Sequence, residues 1–363
     1  MKSDLKIKSI SARAVAAPMR RPLKTSTGAV SVAPLLLVDL KTNGGIVGRS
    51  YLFAISRAHL KPLAAVVEAM AEMVAGDALA PFEIEKKLRA RYTLLGVHNV
   101  VLFAIAAIDM CAWDALGQAL GQPVARLLGG SLRPVLAYNS NGLGIQELKP
   151  LAKEAEALLA DGFSAVKLRL GRPTAAADIE ALRVVKKAIG PKVMLMVDFN
   201  QALTVAEAIR RGRMIDEEGG VLWIEEPIRA DDFAGCARVA REVATPVQIG
   251  ENFMGPEQMA QAIAADCCDY VMPDAQRIGG VTGWMRAAAL AQGAGLEMSS
   301  HLFREASCQL LAVTPTCHWL EYVDWADPVI EEPVRLSKGY AVGTSGPGLG
   351  MKWNEKAVKK YAA

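Results

Sequence analysis

The sequence predicts an α/β protein, a closed parallel β/α barrel preceded by a smaller α+β unit. Two observations carry this prediction. Eight short apolar runs recur from about residue 135, namely VLAYNS, AVKLRL, VMLMVDFN, VLWIEEP, PVQIGEN, YVMPDA, LEMSSHL and HWLEYV. Amphipathic segments such as QELKPLAKEAEALLADG and AAADIEALRVVKKAIG separate them. Eight strands alternating with helices close more readily into a barrel than into an open sheet.

The first 130 or so residues have a different rhythm. Residues 5–19 and 34–53 are β-rich, and Thr42-Asn43-Gly44-Gly45 joins two apolar runs as a hairpin turn. Helical segments follow near 58–75, 82–94 and 99–120. The last is apolar nearly all round, which predicts burial between layers, and Gly121 and Pro123 end it. Residues 326–363 are Pro/Gly-rich and irregular, and are expected to pack back on the first unit. The expected division is therefore 1–130, 131–325 and 326–363.

Bulk composition removes several classes. The 363 residues are 52% hydrophobic and 22% charged, which excludes a disordered chain. A net charge of +3 gives no reason to expect a nucleic acid or an anionic membrane as partner. No apolar stretch reaches 18 residues without a charge, so no membrane span is expected. The six cysteines form no CxxC pair or zinc spacing, and the first ten residues have no signal-peptide core. Both point to the cytoplasm.

Each barrel run ends in a polar or charged residue. These are Lys167 and Arg169, Asp198 and Asn200, Glu225 and Glu226, Glu251 and Asn252, Asp274, His301 and Glu321. From Asp198 the steps are 27, 26, 23, 27 and 20 residues, one strand, loop and helix each. The carboxyl ends of barrel strands meet on one face, where catalytic groups collect. Asp198, Glu225 and Glu251 come from adjacent strands. Like charges so placed repel unless a cation lies between them. A hard divalent ion with oxygen ligands suits them, and magnesium leaves positions for water and substrate. Taken singly, each acid reads as a helix cap or a surface charge; three in successive registers do not. Asp274 precedes His301 by one unit, the pairing that fixes a tautomer and raises basicity. Lys167 and Arg169, two apart on one strand, share a face inside the barrel.

These residues and several motifs resemble the enolase superfamily and, within it, the mandelate racemase subgroup. The motifs are APLLLVDLKTNGGIVGRSYLFA, AIDMCAWDALGQALGQPVARLLGG, WIEEP, GEN, MPDAQRIGGVTGW and MSSHLF, and they span nearly the whole chain. The resemblance implies a modified (β/α)7β TIM-type barrel under an N-terminal α+β capping domain that the C-terminal segment completes. It also implies Mg2+ and a homo-oligomer, often an octamer. By resemblance, Asp198, Glu225 and Glu251 are metal ligands, His301 a general base and Asp274 its partner. Glu321 is the acid that hydrogen-bonds the substrate carboxylate, and Lys167 the cation beside it. Ser140 and Asn200 are further substrate contacts. The segment LKTSTGAVSVAP, with Thr27, and the loop at Tyr51, Leu52 and Phe53 form the specificity lid.

One residue departs from that pattern. Mandelate racemase has Lys-x-Lys on the second barrel strand, its second lysine being the other base; this chain has Lys167-Leu168-Arg169. With reference pKa values of about 10.4 and 13.8, losing the proton from arginine costs roughly 4–5 kcal/mol more, about three orders of magnitude in rate if uncompensated. Two reactions on a small carboxylate substrate follow. Racemisation or epimerisation of a 2-hydroxy acid is favoured by the whole-chain match and the apolar Leu52-Phe53 lid. Dehydration of a sugar acid, with His301 as base and then acid, is favoured by Arg169, Ser26 and Thr27. A non-catalytic binding barrel is the third reading, and the intact acid triad and His/Asp pair weigh against it.

Overall fold

A computed structural model of the chain describes residues 5–26 and 28–363. Thr27 lies outside the described residues. The N-terminal cap is an antiparallel sheet of β1 (Ile7–Thr25), β2 (Gly28–Thr42) and β3 (Val47–Phe53), in that order. Three helices follow, α1 (Leu60–Val74), α2 (Pro81–Arg91) and α3 (Asn99–Leu120). The β2–β3 turn closes where expected, with the Thr42 N–H donating to the Ile46 carbonyl at 2.9 Å.

Period-2 alternation sorts the sheet into two faces. Leu36, Val38, Leu40 and Leu52 pack on the helices, whereas Val15, Leu35, Leu37 and Tyr51 pack towards the barrel. α3 lies so close to β3 that a Cβ on Gly48 would run into the Cys111 carbonyl, which is why glycine stands there. α3 is long and apolar enough to cross a membrane, but 83% of that stretch is buried within this fold. Its all-round apolarity is that of a helix between layers.

The barrel strands are β4 (Val135–Asn139), β5 (Ala165–Arg169), β6 (Met194–Asp198), β7 (Val221–Glu225), β8 (Val247–Ile249), β9 (Tyr270–Val271), β10 (Glu297–Ser300) and β11 (Cys317–Tyr322). They pair in sequence order, all parallel, and β11 returns to β4 through Leu320 and Ala137. Helices follow the first seven strands, and a single 3₁₀ turn, Asp327–Val329, follows β11. This is the expected (β/α)7β arrangement.

Two regions differ from the sequence reading. β1 and β2 do not stop before the 20s segment. They run on as a ribbon, pairing Leu23 with Val30 and Thr25 with Gly28. Near its tip the Lys24 carbonyl accepts from the Ile145 N–H at 2.7 Å, and Ser26 Oγ donates to the Phe199 carbonyl at 3.2 Å. The ribbon is thus fastened over the strand ends. The C-terminal segment is less irregular than expected. β12 (Arg335–Ser337) and β13 (Tyr340–Val342) form a hairpin that adds antiparallel to β4. Beyond it, Trp353 Nε1 donates to Asp39 at 2.8 Å and Arg13 pairs with Glu355 at 2.7 Å.

Cap and barrel also meet through Asp109 of α3. Its carboxylate accepts from the Thr282 N–H at 3.0 Å and from the Thr282 hydroxyl, at the start of the helix after β9. Burial raises the Asp109 carboxyl to about 7, although the Thr282 hydrogen bonds pull the other way. Its ordinary value is 3.8, so the folded state holds this proton more tightly than the unfolded chain. The stability it contributes is full below about pH 4 and is lost as pH rises through about 7. Between about pH 5 and pH 8, the thermal midpoint of the metal-free wild type is expected to fall more steeply than that of Asp109→Asn. Parallel slopes would remove Asp109 as the source.

Candidate active site

The polar strand ends converge at one mouth of the barrel. Asp198 closes β6, Glu225 closes β7 and Glu251 follows β8, and each offers a carboxylate oxygen within 4.8 Å of the others. Lys167 reaches into the same space from β5. Its ammonium lies 2.5 Å from Glu225 Oε1, 2.8 Å from Glu321 Oε1 and 3.2 Å from Asp198 Oδ2. Burial works against the ammonium, but Glu225, Glu321 and Asp198 outweigh it and hold its pKa well above the ordinary lysine range. Glu225 is pushed up to about 8 by burial, against the pull of Lys167, with Asp198, Glu321 and Glu251 adding repulsion.

Asn200 is placed by its backbone. It sits in the left-handed region at φ 46, and both its N–H and its side-chain amide donate to Asp198, at 2.7 and 3.1 Å. Its Oδ1 is buried without a hydrogen-bond partner, which leaves one acceptor free for a ligand.

His301 follows β10. Its Nδ1 is 2.6 Å from Asp274 Oδ2, and the other Asp274 oxygen accepts from the N–H groups of Gln276 and Arg277 at 2.8 and 3.0 Å. That network assigns the Nδ1 proton and leaves Nε2 facing Glu251 at 3.4 Å and Glu321 at 3.8 Å. Burial lowers the imidazole pKa, but Glu251, Glu321 and Asp274 more than reverse this, to about 9.

Glu321 is the junction. Oε1 accepts from Ser140 Oγ at 2.7 Å as well as from Lys167, and Oε2 accepts from the Leu302 N–H at 3.0 Å. Burial opposes its charge, yet Lys167, His301 and Arg169 keep it well below the usual carboxylate range. On the far side of Ser140 stands Arg169. It donates from Nη1 to the carbonyls of Ser140 and Gly142 at 2.7 and 2.9 Å, and from Nη2 to Ser140 Oγ at 2.8 Å. The guanidinium is buried and held through Nη1 and Nη2, while its Nε has no hydrogen-bond partner.

The lid residues divide by strand alternation. Tyr51 and Phe53 face the barrel, whereas Leu52 is fully buried against the cap helices. Leu52 is therefore corrected from a substrate contact to a core residue, because a one-residue step along a strand changes face. The Tyr51 hydroxyl donates to Glu305 at 2.8 Å, and its ring lies 5.0 Å from Phe303. Phe53 stacks on Trp325 at 5.2 Å, beside a narrow cavity walled by Leu35, Leu302, Val323 and Ala326.

Sequence reading gave no role to three contributors, although it named Asn252 at its strand end. Gln276 ties the cap to the β9 loop by accepting from the Phe53 N–H at 2.8 Å. Asn252 donates to Glu226 at 2.6 Å and meets Arg277 through its other atom. Trp223 donates its indole N–H to Glu225 Oε2 at 3.1 Å. Trp223 also had a signal, since residues two apart on a strand share a face.

The donor set fits a divalent cation. Asp198, Glu225 and Glu251 supply hard oxygen ligands already gathered in one place, and Lys167 lies beside only two of them. Replacing Lys167 leaves buried carboxylates without their ammonium, a loss of roughly 3–5 kcal/mol for a broken buried pair. The metal-free Lys167→Met protein is expected to melt earlier than wild type, and magnesium chloride to raise its midpoint further than it raises that of wild type. Equal responses to the salt would separate Lys167 from the acid cluster.

Comparison with known proteins agrees with this arrangement. Residues 8–129 match the family model for the mandelate racemase / muconate lactonizing enzyme N-terminal domain, and residues 150–357 that for the enolase C-terminal domain-like family. An enolase from Bradyrhizobium, solved with magnesium and mandelic acid, is 41% identical with a TM-score of 0.96, and the match covers 100% of both chains. An enolase from an alpha proteobacterium, solved with magnesium, is 43% identical with a TM-score of 0.97, over 99% of this chain and 100% of that one. The L-talarate/galactarate dehydratase of Salmonella typhimurium is 31% identical over 327 residues, 89% of this chain and 81% of that protein. Cycloisomerases, epimerases and racemases are also among the relatives. The chain belongs to the enolase superfamily, in its mandelate racemase subgroup, whose members are magnesium-dependent enzymes.

Proposed function

We propose that the enzyme exchanges the α-proton of a 2-hydroxy acid bearing an apolar or aromatic substituent, and so racemises or epimerises it. The observation that carries this is the wall beside His301. Leu302, next to His301 in the chain, lines a cavity with Phe53, Phe303, Val323 and Trp325 whose polar side-chain groups are one indole N–H and the Tyr51 hydroxyl, which is already bonded to Glu305, so a polyhydroxylated substituent would leave hydroxyls unpaired there. The structure with mandelic acid bound, 41% identical, supports the same substrate class.

Asp198, Glu225 and Glu251 would hold magnesium, which when bound supplies positive charge beside the substrate carboxylate and acidifies the α-proton. Lys167 adds a second positive charge at that end of the site. His301, its other nitrogen anchored by Asp274, takes the proton at Nε2 once that nitrogen has given up the proton that Glu251 and Glu321 favour there. Ser140 and the free Oδ1 of Asn200 are the polar groups that would orient a hydroxyl. Glu321 enters as a carboxylate in this arrangement, so donating to the substrate requires it first to gain a proton. Arg169 lies beyond Glu321 and Ser140 from His301, and three hydrogen bonds through Nη1 and Nη2 fix its guanidinium there. Racemisation needs proton exchange on the face opposite His301, and Arg169, a poorer base than lysine, is the group that would supply it, so the two faces of the substrate react unequally.

Dehydration of a sugar acid is the second reading. Arg169 favours it, because loss of a β-hydroxyl needs no second base, and so does the likeness to L-talarate/galactarate dehydratase. Self-association is proposed too. The exposed Leu94 and Leu95 form an apolar loop of the kind that another subunit covers. The six cysteines are all free thiols, which supports a reducing, cytoplasmic setting.

Incubation of each mandelate enantiomer in deuterated water tests the main proposal. Deuterium is expected to enter the α-position of one enantiomer far faster than the other. Arg169→Lys is expected to speed the slow enantiomer, by up to roughly a thousandfold from the change in base strength. Equal wild-type rates would reject the one-base site. A 2-keto product from sugar diacids, without exchange of mandelate, would establish the dehydratase instead.

A further inference from the structure

Glu225 stands on a floor of aromatic rings. Trp223, two residues earlier on β7, is fully buried and points into the barrel beneath it. The indole is fixed by neighbours from several strands. Tyr138 of β4 meets it edge-on at 5.5 Å, His318 of β11 lies at 5.7 Å and Tyr270 of β9 at 6.3 Å. It cannot swing away without opening the floor. Its N–H reaches Glu225 Oε2 at 3.1 Å, and the other oxygen, Oε1, lies 2.5 Å from Lys167. Each carboxylate oxygen thus has a donor of its own, and the plane of the group is set by a rigid ring rather than a flexible chain.

We propose that Trp223 is a positioning residue for the divalent-ion centre, its indole N–H holding the Glu225 carboxylate in the orientation that binds the cation. This rests on the reading of Glu225 as a metal ligand. A group that orients a ligand acts on affinity nearly as strongly as the ligand's own surroundings do, typically ten- to hundredfold. Phenylalanine at 223 keeps an aromatic ring in the floor and removes only the donor and one ring's volume. Trp319 gives the matched comparison, being a buried indole in the same cluster with no hydrogen bond to the acids.

Calorimetric titration of magnesium chloride into the metal-free full-length protein tests this, with no substrate present. Trp223→Phe is expected to weaken magnesium binding roughly tenfold or more, and Trp319→Phe to leave it within about twofold of wild type. Wild-type affinity in Trp223→Phe, or an equal loss in both variants, overturns the positioning role. Glu225→Gln is measured alongside. If it binds magnesium like wild type, the ligand assignment fails; if it loses binding while Trp223→Phe does not, only the role of Trp223 fails. Should Trp223→Phe not fold, indole ¹⁵N signals of the wild type, which has six tryptophans, give the answer. A solvent-protected indole signal that moves with the magnesium titration supports the proposal, and no such movement overturns it.

Discussion

Carboxylates from several strands crowd the mouth of this barrel, and their mutual repulsion shapes what surrounds it. Asp198, Glu225, Glu251 and Glu321 come from four strands, and Lys167 alone lies within ion-pair distance of three of them. Such a group is costly to bury. It survives because every member is held by donors that cannot leave. Asn200 grips Asp198, Trp223 grips Glu225, and Ser140 with the Leu302 N–H grips Glu321. The parallel barrel makes this possible by bringing strand ends together from residues far apart in sequence. A divalent cation then completes a site whose oxygens are already ordered, so little reorganisation remains when it binds.

The same demand for fixed geometry is written into the backbone. Leu143, Asn200, Gln201, Glu226, Leu302 and Phe303 all take the left-handed conformation, and all lie in loops leaving the strand ends. Non-glycine residues there carry strain, which persists only where surrounding contacts over-determine it. At Leu302 the contact is visible, since Glu321 accepts its N–H and so ties the turn after His301 to β11. The cap presses on the same turn through Tyr51, whose ring meets Phe303 and whose hydroxyl meets Glu305. Cap and imidazole are therefore mechanically joined through two residues.

Much of this was legible because barrel chemistry repeats with the strand period. An apolar run followed by an acid, recurring at near-constant spacing, gave Asp198, Glu225 and Glu251 their common location before any coordinates. Period 2 also carried information that grouping by sequence neighbourhood discarded. It separates Leu52 from Tyr51 and Phe53, and it places Trp223 beside Glu225. What composition could not reveal are contacts made by backbone groups and by distant loops. Nothing in Gln276 announces that it accepts from the Phe53 N–H, and the three-residue strands β12 and β13 are too short to give a periodic signal. The pairing partner of that hairpin, the first barrel strand, is set by tertiary packing alone.

Arg169 shows how one substitution redistributes roles within such a frame. A lysine at this position would present one compact charge on a flexible stem and would release a proton more readily. The guanidinium instead spans several acceptors at once, closing on the carbonyls of Ser140 and Gly142 and on the Ser140 hydroxyl. That hydroxyl in turn donates to Glu321. The arginine therefore orients the serine proton towards the carboxylate and adds its charge to the forces that keep Glu321 ionised. To act as a second base the arginine would have to loosen these bonds and give up a proton, a demand that a lysine would meet more readily.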